Sequence, residues 1–318
     1  MGKTISKKDN NNSFDRLDGK KYQEGLPKFI ILTQICNTME IYPVIADNWK
    51  MDGGAAFGVV PQTIWKKMVE PDENNMVKIT TRCLLVKHQD RLILFDTGMG
   101  NKQNDKYYSF RYLFGNDSLE NHIKKLGYSF KDITDVVFTH LHDDHCGGAV
   151  KLNHNGETEL VFKNAIHHCS AEQWEWANHP NKREIGSFFK INFKPIEEAG
   201  KLNLIEEEGD FLPDIEFRFI NGHTQGMIVP VFHLEDKTIV FMADFIPSSA
   251  HIPIPFVASV DIQPLVALKE KEKFLNEAVE KGYYLVFQHD YDTECVSLKS
   301  TEKGVRADQS FRLNEILN

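Results

Sequence analysis

From Pro27 onward, short apolar runs alternate with polar breaks marked by glycine, proline, asparagine and aspartate. Rich in β-branched and aromatic residues, these runs predict strands in KFIILTQIC (28–36) and around MEIYPVI, because such side chains fit a pleated, half-buried surface. NWKMDGGAAFGVVP then reads as a glycine-punctuated loop exposing Trp49, Met51, Phe57 and Val59, and QTIWKKMVE as a short helix with Pro61 in its first turn. KITTRCLLVKHQDRLILFDTG predicts two strands joined by a turn at Gln89 and Asp90, SLENHIKKLGY (118–128) a helix, and DITDVVFTH a buried strand. Downstream, ELVFKN, IEFRFI, MIVPVFHL, TIVFMAD and YYLVFQHD predict strands. SAEQWEWANH (170–179) predicts a helix capped by Ser170, and PLVALKEKEKFLNEAVEKG (264–282) a long amphipathic helix closed by glycine. Short groups of strands with helices interspersed, but without strict βαβ alternation, predict an α+β fold of two packed sheets with helices outside. Residues 1–24 are polar and read as a disordered leader, whereas 25–318 contains no linker and is expected to form one domain.

Composition narrows the function classes. Apolar residues make up 41% of the 318 and charged ones 26%, an ordinary globular mixture. The formal net charge of -9 lacks the basic footprint that neutralises phosphates, which argues against a nucleic-acid partner. Five scattered cysteines, odd in number and without a CxxC pair, fit a reducing compartment and a cytoplasmic location. The polar start has no signal-peptide core, and no apolar run reaches bilayer length, so no membrane partner is expected.

The segment Thr139-His140-Leu141-His142-Asp143-Asp144-His145-Cys146-Gly147-Gly148 carries the chemistry. Residues two apart on an extended chain point the same way, so His140 and His142 can converge on one ion. A helix start near Asp144 would swing Asp144 and His145 aside to hold a second ion, and imidazole with carboxylate suits zinc and its neighbours. His223 between glycines, and Asp244 and His289 after apolar strands, are further ligand candidates. His88, His122, His154, His167, His168, His179 and His233 lack such a setting and read as surface or structural residues.

HLHDDH resembles the HxHxDH signature of the metallo-β-lactamase-fold hydrolases, and the likeness extends from about residue 28 over most of the chain. It implies a four-layer αβ/βα sandwich with metals at the seam between two sheets. Phe95-Asp96-Thr97-Gly98 resembles the family's early Asp-Thr-Gly, and Gly222-His223-Thr224-Gln225-Gly226 its GHTxG loop. Carried over, the resemblance implies two divalent cations, zinc first, with manganese, iron or cobalt also accommodated. His140, His142 and His223 would hold one, Asp144, His145 and His289 the other, with Asp244 bridging and Asp96 orienting a ligand. Asp144 and Asp244 are the expected catalytic carboxylates, handling the proton of a bridging water acidified to hydroxide. Cys146 reads as a small residue packed under the site.

GGAAFGVVPQTIW and DFIPSSAHIPIPFVASVDIQP resemble the loops of the quorum-quenching lactonase and methyl parathion hydrolase branch. Apolar walls beside a hydrolytic centre imply a small-molecule apolar ester or lactone as substrate, with phosphotriesterase side activity. Several acyl-homoserine lactonases carry a tyrosine three residues after the bridging aspartate; here Pro247 stands there, which argues against activity on those substrates unless His251 or a tyrosine elsewhere takes its place. Two other readings are a glyoxalase II-like thioesterase, for which no Lys/Arg cluster is evident, and a non-enzymatic metal-binding protein, which would be expected to have lost ligands. The apolar loop at 47–61 would close over its own site or reach across a homodimer.

Overall fold

The computed structural model describes residues 39–317, so the leader expected over 1–24 and the strand expected over 28–36 lie outside the described residues. The first half lays down β1 (Glu40–Asp52), β2 (Met76–His88), β3 (Arg91–Phe95), β4 (Asp135–Val137), the hairpin strands β5 (Val150–Leu152) and β6 (Thr158–Leu160), β7 (Ile166–Ser170) and β8 (Leu202–Ile205). Apart from the hairpin these form a six-stranded sheet, β1-β2-β3-β4-β7-β8, antiparallel through β3 and parallel beyond it. The second half adds β9 (Gly209–Leu212), β10 (Ile215–Ile220), β11 (Met227–His233), β12 (Thr238–Phe241), β13 (Tyr284–Val286), β14 (Cys295–Thr301) and β15 (Gly304–Phe311). They form a seven-stranded sheet in reverse order, β15 to β9, with only β12 and β13 parallel.

Strand alternation builds the layers. Ile93 and Phe95 of β3 face the second sheet, where they meet Phe217, Phe232 and Phe241, while Leu92 and Leu94 face helices Leu119–Lys125, Ala171–Asn178 and Lys190–Glu198. On β12, Ile239 and Phe241 join the inter-sheet core, and Val240, with Met242 just past the strand, packs under the helix Pro264–Lys281 through Phe274, Leu275 and Ala278. The result is helix, sheet, sheet, helix: the expected αβ/βα sandwich. Each fully buried Phe contributes roughly 1.5–3 kcal/mol, and the seam between the sheets carries several.

Two local expectations are corrected. NWKMD is not loop: β1 pairs with β2 through Asp52, placing Trp49 opposite Ile79 with only 3% of its surface exposed. Phe57 is also buried, stacked between Trp65 and His251, and Val59 alone of the four is fully open. Of ELVFKN only Glu159 and Leu160 fall in a strand, β6. Of the histidines read as surface or structural, His88, His167 and His168 are the buried, structural kind, and His168 bonds to Asp135 at 2.8 Å.

Candidate metal centre

Every ligand candidate stands where a strand ends. The chain leaves β4 extended, so His140 and His142 point together, and His142 begins the short helix Asp143–Cys146, which carries Asp144 and His145 around the corner. That turn packs beneath Asp96-Thr97-Gly98: the Thr97 amide donates to the His145 carbonyl at 2.7 Å, and the Gly148 amide to the Gly98 carbonyl at 2.8 Å. A Cβ on Gly147 would stand 2.2 Å from the Met99 carbonyl oxygen, and one on Gly148 2.1 Å from that of Thr97. Only glycine allows this approach. His223 sits between β10 and β11 in a loop whose Asn221 and Gly222 amides both donate to Glu270 at 2.9 Å. Asp244 follows β12 and His289 follows β13.

These seven residues converge in two groups, His140, His142, His223 and Asp244, and Asp144, His145 and His289. His142 Nδ1 lies 3.0 Å from His140 Nε2 and 3.1 Å from His223 Nε2. His145 Nε2 and His289 Nε2 are 3.3 Å apart. Asp244 spans both groups: Oδ2 is 3.1 Å from His223 Nε2 and 3.5 Å from His145 Nε2, and Oδ1 is 2.8 Å from His289 Nε2. Asp144 reaches His145 at 3.6 Å and His289 at 3.7 Å.

Outer hydrogen bonds decide which ring nitrogens carry protons. His289 Nδ1 is 2.9 Å from the Thr80 carbonyl, which can only accept, so the proton is there and Nε2 bears a lone pair. His145 Nδ1 donates to Asp96 at 3.0 Å, His223 Nδ1 to Asp261 at 2.8 Å, and His142 Nε2 to Glu184 at 2.9 Å. The Thr139 hydroxyl donates to Asp96 at 2.7 Å and therefore accepts from His140 Nδ1 at 3.1 Å. All five imidazoles thus aim lone pairs inward, some only 3.0–3.3 Å apart, and Asp244 Oδ1 is buried without a hydrogen-bond partner among the described residues. Bare lone pairs at this separation repel; cations between them turn repulsion into ligation, so the donor set fits divalent metal.

The charges agree. Burial opposes a proton on His145 and His223, yet Asp144 and Asp244 push His145 well up, and Asp244 with Asp261 pushes His223 up to about 10. Burial raises Asp244, but His289, His145 and His223 outweigh it and hold the carboxyl well below its usual range. The carboxylates here stabilise positive charge, while burial with His145 and His142 holds His140 itself well down.

Several contributors escaped the sequence reading. Glu184 takes the His142 proton and also accepts from Trp176 Nε1 at 2.7 Å and Asn181 Nδ2 at 3.1 Å; Asp261 takes that of His223. Lone acidic residues in loops give no sequence signal for these roles. Arg111 binds Asp143 at 2.6 Å and lies over the Trp49 and Tyr107 rings, bracing the residue beside Asp144. Cys146 is buried, its thiol pushed up by burial and donating to the Leu141 carbonyl at 3.3 Å. A cavity of about 500 Å³ opens onto Asp144, His223, Asp244 and His289; Phe57, Pro247 and Val260 supply apolar wall from the two expected flanking segments, and Trp49 and Met51 add to it from β1. Its lysines among the described residues are Lys50, paired with Asp72 at 2.7 Å, and Lys78, over Tyr291, so no basic cluster of described residues faces it.

Fold and site together define a metal-dependent hydrolase. The chain belongs to the metallo-beta-lactamase superfamily, whose family model matches residues 79–289. Curated relatives include N-acyl homoserine lactonases from Bacillus cereus, 22% identical over 69% of this chain and 85% of that protein, and from a Bacillus species, 24% identical over 67% and 82%. Among solved structures, a probable metal-dependent hydrolase from Staphylococcus aureus superposes with a TM-score of 0.79 at 27% identity, covering 86% of this chain and 97% of that one. The dizinc quorum-quenching lactonase AidC gives 0.71 at 22% identity, with coverage of 86% and 95%. No helix among the described residues is long and apolar enough to cross a membrane.

Proposed function

We propose that this protein is a dinuclear metal hydrolase that opens hydrophobic lactones or esters. His140, His142 and His223 would hold one cation, Asp144, His145 and His289 the other, and Asp244 would bridge them, with zinc the first candidate. The observation that carries this reading is the set of five inward lone pairs and two carboxylates bordering an apolar-walled cavity. When bound, the cations supply an acidified water and polarise the carbonyl oxygen. The chain does the rest. Trp49, Met51 and Phe57 seat the apolar part of the substrate and exclude water, and Asp144 and Asp244, both on the cavity wall, take up the proton released as water adds. Lactonase relatives support a cyclic ester, and the lack of a basic cluster among the described residues of the cavity disfavours a glutathione thioester.

Metal analysis together with a panel of acyl lactones, aryl esters, thioesters and organophosphates tests this. Two cations per chain, best turnover on apolar lactones or esters, and loss of at least about a hundredfold in kcat for Asp244→Ala are expected, the scale of removing a group that acts in the transition state. Full activity in metal-free protein, or a preference for glutathione thioesters, would overturn it.

A further inference from the structure

The cavity wall contains a polar pair outside the metal cluster, Ser248 and His251. His251 is held tightly: its ring stacks face to face on Phe57, centroids 4.8 Å apart and planes within 3°, and Phe57 stacks in turn on Trp65 at 4.8 Å. His251 Nε2 lies 2.8 Å from the Ala56 carbonyl oxygen. A carbonyl only accepts, so the imidazole proton is on Nε2 and Nδ1 keeps its lone pair. Ser248 Oγ lies 2.7 Å from that Nδ1 and must donate to it. The single hydroxyl proton is thereby committed, and the serine oxygen has only lone pairs left for the cavity. The pair is also fixed in place: the neighbouring Pro247 carbonyl accepts from the His289 amide at 3.0 Å, one peptide from a metal-ligand candidate. Lys271 anchors the other side, its ammonium donating to the carbonyls of His251 and Phe256 at 2.8 Å each.

We infer that Ser248 is a specificity-determining hydrogen-bond acceptor, favouring substrates with an N–H or O–H donor beside the scissile ester. This rests on reading the centre as an ester or lactone hydrolase. A serine nucleophile is the alternative use of such a pair, but burial holds His251 down at about 4, and its ring is a weak base with both nitrogens engaged. The polarity also means that Ser248 offers a substrate carbonyl no hydroxyl donor, so the position after Pro247 recognises the flank of the ester and leaves its carbonyl to the metal centre.

Two non-hydrolysable ketones separate the possibilities: 2-octanoylamino-cyclopentanone and its isostere with CH2 in place of N–H. Calorimetric titration of the zinc-loaded full chain should show the N–H compound binding about tenfold tighter, the ratio worth one net hydrogen bond. Ser248→Ala should weaken only that compound and bring the two to parity, while Ser248→Thr, which keeps the hydroxyl, should retain the preference. His251→Phe keeps the stack but frees the serine proton, and should erode the preference from the other side. Equal binding by the wild-type protein, or equal weakening of both ketones in Ser248→Ala, would overturn the inference. The matching pair of lactones, assayed for hydrolysis, is read separately. Ketone discrimination with neither lactone cleaved removes the hydrolase reading but leaves the acceptor; cleavage of both lactones at equal rates with equal ketone binding does the reverse.

Discussion

Glu184 shows how much of a metal site is decided by residues that touch no metal. Burial pushes its carboxyl up, yet the hydrogen bond and charge of His142 and the Thr224 hydroxyl outweigh that and keep it low. As an anion it forces the His142 proton onto Nε2 and so frees Nδ1 for a cation. In Glu184→Gln the charge that fixes this tautomer is gone, and metal affinity should fall about 10–100-fold, read by competition with a chromogenic chelator. Unaltered affinity would mean that the orientation comes from packing alone. His167 is the opposite case, a buried histidine with no hydrogen-bond partner among the described residues on either ring nitrogen, lying near the Phe138 and Phe162 rings. Burial, with His168 beside it, holds His167 down from 6.5 to about 4. Between those values the unfolded chain binds a proton that the native state refuses, so stability is intact above about 6.5 and is lost as pH falls toward 4. His167→Leu removes this linkage. From about pH 7 to about pH 5 the variant should lose roughly 2 kcal/mol less than the wild type, measured by urea unfolding at both pH values.

At the scale of elements, the double glycine after His145 is the joint on which both halves of the site depend. Gly148→Ala pushes a methyl into the Thr97 carbonyl, a backbone atom that cannot swing aside. Expected is a loss of about 1–3 kcal/mol together with weakened metal binding, because the same turn carries Asp144 and His145. Unfolding and metal titration check the two effects; a stability loss with normal metal binding would show that the turn and the ligands are uncoupled. This joint was legible in the sequence because the motif and its glycines are contiguous, and the strand-end placement of His223, Asp244 and His289 was legible because apolar runs precede the last two. What was not legible has physical reasons. β7 reads IHHCS, so two buried histidines mask its apolar pattern, one of them satisfied only by distant partners, Asp135 on β4 and Asn203 on β8. Trp49 looked like a loop residue because glycines follow at 53 and 54, but long-range pairing with β2 carries the strand past it to Asp52. Glu184 and Asp261 acquire their roles from histidines 42 and 38 residues away, a separation that no local pattern records.

For the whole molecule, the question is whether cations hold the two sheets together or merely occupy a seam that is already closed. The ligand candidates come from both sides: four leave β4 of the first sheet, and three follow β10, β12 and β13 of the second. A cation that binds only the folded arrangement stabilises it by mass action, about 2.7 kcal/mol per site when free metal is a hundred times the Kd. The inter-sheet core is larger. It joins Phe95, Val137 and Leu84 to Phe217, Phe232 and Phe241, each contributing roughly 1.5–3 kcal/mol, so the sandwich should stay folded without metal. Chelation should therefore lower Tm by about 5–10 °C for each site emptied, without loss of cooperativity, and zinc should restore it. The inward lone pairs supply a second reason for the drop, since stripping the metal leaves five imidazoles facing one another with only protons to separate them. Scanning calorimetry of the native, chelated and reconstituted protein distinguishes the cases. A Tm indifferent to metal would mean the ligand atoms rearrange freely once emptied, which the outer carboxylates Asp96, Glu184 and Asp261 are placed to prevent. Complete unfolding on chelation would mean the hydrophobic seam contributes far less than its buried aromatic residues imply.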